Sequence, residues 1–166
     1  KTSNGFKVTL ANDESYECKA LILAYGKVPR SLGIENEDKF LGRGVSTCVT
    51  CDAPLYKNRE VAVIGGGNSA VETALELSLD NSVTMLVRKP TLAEAVTERN
   101  RAELEKEIAN GAVKIFYNSN ALSFNGNEST MNLEVQPQSE QSRTVAEAFD
   151  SIYINVGYKK PSAWLE

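Results

Sequence analysis

The sequence contains no histidine in its 166 residues. Imidazole is the usual base that activates a serine or cysteine nucleophile, and the commonest zinc ligand, so any acid–base chemistry falls to carboxylates, lysine or tyrosine. Cysteine is scarce too. Three cysteines, with no signal peptide at the start, do not make the disulfide framework of a small secreted domain, and a cytoplasmic setting is expected. No apolar run nears the roughly 18 residues needed to span a membrane. Basic charge is also short: 18 Lys and Arg against 22 Asp and Glu give a net charge of -4 and no footprint for a phosphate backbone. Neither a membrane nor a nucleic acid is expected as a partner. The sequence opens on Lys1 without an initiator methionine and alternates like a strand within a few residues, so it reads as a piece of a longer protein.

What is present is ordered. Residues 6–10 alternate, Asn12-Asp13-Glu14 makes a turn, and residues 16–24 alternate before becoming continuously apolar, which predicts a hairpin whose second strand ends buried. Breaker residues between Pro29 and Val45 mark a linker or a domain crossing. Residues 61–64 read as a short buried strand. A glycine turn follows, then a helix carrying Ala70, Val71, Ala74, Leu75 and Leu77, then a second apolar strand at 82–87. Strand, turn, helix and strand within about 30 residues form a βαβ unit. Thr91-Leu92-Ala93-Glu94 has the spacing of a capping box and predicts a helix from there to Asn110, stopped by Gly111. A third strand is expected at 113–117, then short strands with turns at 125–127 and 136–142, and a last strand at 151–156 ending at Gly157. The fold class is α/β: a Rossmann-like βαβαβ domain with a small antiparallel meander.

Gly65-Gly66-Gly67-Asn68-Ser69-Ala70 has the spacing G-x-G-x-x-A between a strand and a helix. The first glycine makes the tight turn, the second admits a pyrophosphate against the backbone, and the small Ala70 lets helix and strand pack closely. The helix N-terminus then favours the anion. About 20 residues on, an acid would bind the ribose 2′-hydroxyl of NAD, and basic residues the 2′-phosphate of NADP. Arg88 and Lys89 stand there, with no acid, so NADPH is the expected cofactor.

Cys48 and Cys51 form a C-x-x-C pair that could be a redox dithiol, half of a zinc site or incidental. With no histidine and only Cys18 to spare, the chain cannot complete a structural zinc site, and no metal is expected. Thiolate is the reacting form, and a C-x-x-C setting lowers one thiol pKa. Asp52 follows immediately and is the nearest group to relay a proton. Cys18 lies at an inward phase of an alternating strand and reads as a buried, inert thiol. A nicotinamide and a dithiol exchange electrons efficiently only through an intermediary such as a flavin, yet the sequence holds no second glycine fingerprint to bind one.

The strings GRGVSTCVTCD at 42–52 and VAVIGGGNSAVETA at 61–74, followed by Arg88-Lys89, resemble the nicotinamide domain of the low-molecular-weight thioredoxin reductases, within the pyridine nucleotide-disulfide oxidoreductases. The resemblance covers nearly the whole chain. It implies that Cys48 is the interchange thiol that attacks thioredoxin, that Cys51 faces the flavin, and that Asp52 is the acid–base catalyst. It implies FAD and NADPH as cofactors, thioredoxin as partner, a homodimer, and a rotation that presents dithiol and nicotinamide to the flavin in turn. Residues 1–30 then correspond to the last strands of the first half of a split FAD-binding domain, 31–157 to the NADPH-binding domain, and 158–166 to the return into the FAD domain. The isolated chain is expected to bind nucleotide and hold the dithiol without turning over.

Three departures stand out. Ala24-Tyr25-Gly26 replaces Ala-Thr-Gly, and Gly157 to Pro161 carries one residue more than expected. The family's His-Arg-Arg with a further Arg becomes Val87-Arg88-Lys89 with Ala93. Each lost charge-assisted contact is worth about 1.5 to 3 kcal/mol, so preference for the 2′-phosphate is expected to weaken by roughly one to two orders of magnitude. Rival readings keep the architecture but change the acceptor to a peroxiredoxin system or a small-molecule dithiol, or make the chain a non-catalytic nucleotide-binding domain.

Overall fold

The structure, a computed structural model, describes residues 5–24, 26–127, 130–137 and 145–159. It opens with an antiparallel pair, β1 (Phe6–Thr9) and β2 (Ser15–Cys18), in register from Phe6 opposite Cys18 to Thr9 opposite Ser15. The hairpin is as expected, but its second strand stops at Cys18. Leu21, Ile22 and Leu23 are exposed, Ile22 at 90%, because no described strand pairs with them. Cys18 is half-buried and free rather than sealed in a core.

After β3 (Val28–Pro29) come the short α1 (Glu37–Phe40), β4 (Val45–Ser46) and α2 (Val49–Asp52), the last followed by a 3-10 turn at Ala53–Leu55. The central unit is β5 (Glu60–Ile64), α3 (Asn68–Ser78), β6 (Ser82–Val87), α4 (Glu98–Ala109) and β7 (Val113–Tyr117). The meander β8 (Ser119–Asn127), β9 (Thr130–Pro137) and β10 (Val145–Phe149) leads to β11 (Ser151–Ile154), and β12 (Tyr158–Lys159) pairs back on β3. Strand β8 extends to Asn127, where a turn was expected at 125–127, and pairs with β9 from Thr130, so the reversal comes just after it; of the second expected turn, 136–142, residues 138–142 lie outside the described residues, as do Tyr25 and 160–166.

The main sheet has the order β4-β11-β5-β6-β7, with every pairing parallel. From β5 the chain steps one way to β6 and β7 and later returns to β11 on the other side. The strand order therefore reverses between β5 and β11, and a crevice opens there at the carboxyl ends of open α/β sheets. Both faces of the sheet are covered, which is why every residue of β5 and β6 after the first is buried, instead of alternate ones. Val61 and Val63 face a core built with Ala70, Val71, Ala74 and Leu77 of α3, whereas Ala62 and Ile64 face a second core with Phe40, Phe124 and Phe149. Each buried Val, Leu, Ile or Phe among them contributes about 1.5 to 3 kcal/mol. The meander and α1 thus form the second layer, not an appendage.

One helix boundary differs from expectation. The capping residue of α4 is Thr97, whose hydroxyl accepts from the Asn100 amide at 3.2 Å, and not Thr91. Residues 91–97 cross the glycine turn as a loop. The Ala93 amide donates to the Gly66 carbonyl at 2.8 Å, Leu92 and Val96 enter the core, and Arg101 donates to the carbonyls of Ala93 and Val96. These contacts are not local, so they outweigh the local capping pattern. The helix does stop as expected, with Gly111 at φ 79 after the Asn110 cap.

Candidate functional site

Strand β5 delivers the chain into the glycine turn at the reversal of strand order. Gly65 takes φ 146, and a Cβ there would meet the Asn155 backbone carbonyl and come within 3.0 Å of the Ala70 Cβ. A Cβ on Gly66 would lie 2.6 Å from Val87 Cγ1. These two positions are closed by neighbouring strands. Gly67 differs, since nothing lies within 4 Å of where its Cβ would be. That open space belongs to a cavity of about 750 Å³ at the carboxyl ends of the strands, lined by residues 65–69, Arg88, Lys89, Thr91 and Asn155 among others.

The expected nucleotide residues fall into two groups. Gly65, Gly66, Gly67, Asn68, Ser69, Arg88 and Lys89 line the cavity together. Ala70 is fully buried behind it, against the turn. Asn68 lines the cavity, but its side chain is engaged elsewhere: its Oδ1 accepts from the Thr97 amide at 3.1 Å and from Asn100 Nδ2 at 2.9 Å, and its Nδ2 donates to Glu72 at 2.7 Å. This network ties the first turn of α3 to the start of α4. Arg88 and Lys89 are both exposed at the end of β6. Open backbone at Gly67, a helix N-terminus and two cations at one rim fit an extended, doubly phosphorylated ligand such as a pyridine dinucleotide.

The dithiol is built on a different part of the same sheet. Cys48 and Cys51 are joined, with Sγ atoms 2.04 Å and Cα atoms 5.4 Å apart. Cys48 caps α2, its amide donating to Ser46 Oγ at 3.0 Å, and its carbonyl accepts from the Asp52 amide at 3.3 Å. Cys51 is exposed, whereas Cys48 and Asp52 are half-buried. Beneath α2, Val49, Ala53 and Tyr56 pack on the core that also holds α3 and Tyr153. Dithiol and glycine turn therefore share one face of the sheet, although neither cysteine lines the cavity.

Tyr153 is fully buried on β11 below this turn. Burial pushes its phenol up from 10.0 to about 12; the Ser151 hydroxyl opposes the shift, and the carboxylate of Asp52 and the phenol of Tyr56 add to it. Among the described residues, neither the Tyr153 nor the Ser151 hydroxyl has a hydrogen-bond partner by geometry, so proximity, not a formed bond, accounts for the influence of Ser151. Among the described residues, no group of three or more His, Cys, Asp or Glu side chains is placed to hold a metal ion, and no helix is long and apolar enough to cross a membrane.

The model of the pyridine nucleotide-disulphide oxidoreductase family matches residues 2–166. The chain belongs to this family. Among similar members, the glucosaminate ammonia-lyase of Pseudomonas fluorescens is 43% identical over 115 residues, covering 68% of this chain and 35% of that protein. The thioredoxin reductase of Coxiella burnetii is 34% identical over 149 residues, covering 89% and 46%. The solved thioredoxin reductase of Lactococcus lactis superimposes with a TM-score of 0.80 at 26% identity, covering all of this chain and 53% of that one. The chain thus spans about a third to a half of the length of these relatives.

The chain carries one glycine cradle of the G-x-G-x-x-A kind, already claimed by the cavity. The described residues form no second cradle that would hold a flavin. Sequence reasoning overlooked Thr91 and Asn155, which also line the cavity. Thr91 was assigned to a helix cap. Asn155 carried a readable signal, as a lone amide in the apolar run Ile154-Asn155-Val156 at the carboxyl end of a strand.

Proposed function

We propose that the chain is the nucleotide- and dithiol-bearing portion of a thioredoxin-disulfide reductase-like enzyme that draws reducing equivalents from NADPH. The observation that carries this reading is the bonded Cys48–Cys51 pair beside α3 on the same sheet face as an open glycine cradle. The family's cofactors are FAD and NADPH. Gly67 and the first amides of α3 would hold the pyrophosphate, and Arg88 and Lys89 the 2′-phosphate. FAD, which supplies two-electron transfer between a nicotinamide and a disulfide, would be held by protein outside residues 31–157, with residues 1–30 and 158–166 as the last and first pieces of that flavin domain.

This chain's own chemistry is thiol–disulfide exchange. In the reduced dithiol, the Cys48 thiolate attacks a sulfur of the partner disulfide, forming a mixed disulfide and expelling one partner thiolate. Cys51 then attacks Cys48 Sγ, expelling the second partner thiolate and restoring the Cys48–Cys51 bond. Two electrons pass to the partner, and Asp52 delivers protons to the leaving sulfurs. Thioredoxin or a similar small redox protein is the partner, in the cytoplasm, with the whole enzyme a homodimer. A similar protein is named for ammonia-lyase activity, and the bonded Cys48–Cys51 pair is what supports a disulfide-exchange reading here.

The test uses the chain reduced with dithiothreitol and desalted. Mixed with oxidised thioredoxin, it should transfer about one disulfide equivalent. Cys51→Ser should trap a mixed disulfide through Cys48. Trapping by Cys48→Ser instead would reverse the order of the thiols, and no exchange with thioredoxin, alongside reduction of a peroxiredoxin system, would favour the rival acceptor.

A further inference from the structure

The two sulfurs of the bonded pair have different surroundings. Thr50 Oγ1 lies 3.5 Å from Cys48 Sγ, whereas no side chain among the described residues bonds to Cys51 Sγ. Distance alone leaves the direction of that hydrogen bond open, but a disulfide sulfur carries no hydrogen, so the hydroxyl donates and the sulfur accepts. Cys48 is also braced. Its amide donates to Ser46 Oγ at 3.0 Å and its carbonyl accepts from the same hydroxyl at 3.3 Å, with Ser46 buried in β4. Exposure by itself would favour attack by Cys51, which is exposed, over the half-buried Cys48.

A donor matters most to a sulfur that carries charge. Hydrogen bonds to an ionised partner are roughly twice as strong as neutral ones, and a bond made to the charged form favours ionisation. In the reduced pair, the hydroxyl beside Cys48 stabilises that thiolate and leaves the thiolate of Cys51 without a partner. Other ionisable groups around the turn are Asp52 of α2, Arg43 ahead of β4, Tyr56 and Tyr153 in the core beneath, and Glu72 and Glu76 of α3, which packs against α2. None of them bonds to either sulfur, so the asymmetry rests on Thr50.

We propose that the Thr50 hydroxyl donates to Cys48 Sγ in the reduced as well as the bonded pair and makes Cys48 the more readily ionised thiol, so that Thr50 is a further catalytic residue of the exchange. The proposal rests on the disulfide-exchange reading above, and its test needs no thioredoxin. Cys18→Ser with Cys51→Ser leaves Cys48 as the one thiol of the chain. Its reaction with 5,5′-dithiobis(2-nitrobenzoate) forms a mixed disulfide, expels one aromatic thiolate and is followed between about pH 5.5 and pH 9.5. Thr50→Val should move the midpoint of that profile up by about one pH unit. A less acidic thiol gives a more nucleophilic thiolate, so such a shift makes Cys48 about three- to fourfold slower at low pH and about threefold faster at high pH. Thr50→Ala should do the same, and Thr50→Ser should stay within twofold of the parent. With Cys51 as the one thiol, Thr50→Val should change nothing by more than twofold.

An unmoved midpoint, the same factor at every pH, a Thr50→Ser profile that follows Thr50→Val, or an equal shift at Cys51 would each overturn the proposal. A uniform factor would mean a loosened turn, which alters access and not ionisation. Failure of both Thr50→Val and Thr50→Ala to fold would overturn it as well, since the hydroxyl would then be structural. Any of these results alongside exchange with thioredoxin leaves the disulfide-exchange reading standing, and the expected profiles without exchange overturn that reading alone.

Discussion

The glycine turn and the dithiol turn occupy the same face of one sheet, yet they are built in opposite ways. The first is gripped: Gly65 and Gly66 leave no room for a methyl group between β5, β6 and the residues after β11, and Ala93 bonds back over it. The second is a four-residue helix with no buried residue, resting on Val49, Ala53 and Tyr56. A nucleotide cradle works by fixed position, because backbone amides must meet a phosphate at hydrogen-bond distance. A dithiol works by access, because a partner's sulfur must reach it in line. Rigidity at one and exposure at the other follow from what each must bind.

The largest effect expected on this contrast comes from Gly65→Ala. Its Cβ would press on backbone at a φ that side chains avoid, so the neighbour cannot yield as a flexible side chain would. A loss of at least about 3 kcal/mol in urea unfolding is expected, with dinucleotide binding abolished. A variant within 1 kcal/mol of the parent would mean that the turn is not gripped.

Gly67→Ala separates grip from ligand. Gly67 is extended, at φ -92 and ψ 176, and open on its Cβ side, so any residue fits the unliganded turn. Stability should drop by no more than about 1 kcal/mol, the difference between glycine and alanine as a helix cap. The added methyl would stand where the pyrophosphate approaches, so NADPH affinity measured by calorimetry should fall by about tenfold or more.

Reduction of Cys48–Cys51 sharpens the other side. The bond closes a loop so short that its loss costs at most about 2 kcal/mol on a chain-entropy account. Urea unfolding with and without dithiothreitol measures this. Because neither cysteine lines the cavity, NADPH affinity should stay within twofold on reduction. A larger change would show that the two turns are coupled through α2 and α3.

The same contrast explains what could be read from the sequence. Strand β5, the glycine turn and α3 were legible because an apolar run, a glycine string and small residues at 70 and 74 follow one another within 15 positions and mark the turn by residue type, even though the contacts that require Gly65 and Gly66 come from Asn155 and Val87. The start of α4 was not. Leu92 and Val96 have helical spacing and Thr91 a capping pattern, but the bond from the Ala93 amide to Gly66 reaches across the fold, and the Arg101 side chain takes the carbonyls of Ala93 and Val96. Hydropathy misled again at Leu21-Ile22-Leu23, as apolar as Val61-Ala62-Val63 yet exposed, because burial needs a partner strand and a composition does not name one. At the candidate site, chemistry carried by residue type was visible in Cys48, Cys51, Asp52, Arg88 and Lys89. Asn155 was visible as a lone amide in an apolar run, but only the sheet order places it opposite the glycine turn.

Tyr153→Phe is the smallest and most specific of these tests. The hydroxyl is buried beneath the dithiol turn with no partner among the described residues, so its removal should raise stability at pH 7 by about 1 kcal/mol. Its pH dependence has a definite sign. A phenol raised from 10.0 to about 12 holds its proton more tightly in the folded chain than in the unfolded one. Below pH 10 both states are protonated and the group contributes no slope. Between pH 10 and about 12 the unfolded chain ionises first, so this residue lowers stability by up to about 1.4 kcal/mol per pH unit. Urea unfolding at pH 8 and pH 11 should therefore show the Phe variant gaining on the parent as pH rises. A constant gap would place Tyr153 in contact with water or a partner, and the floor beneath the dithiol would then be wetter than the packing of Val49, Ala53 and Tyr56 implies.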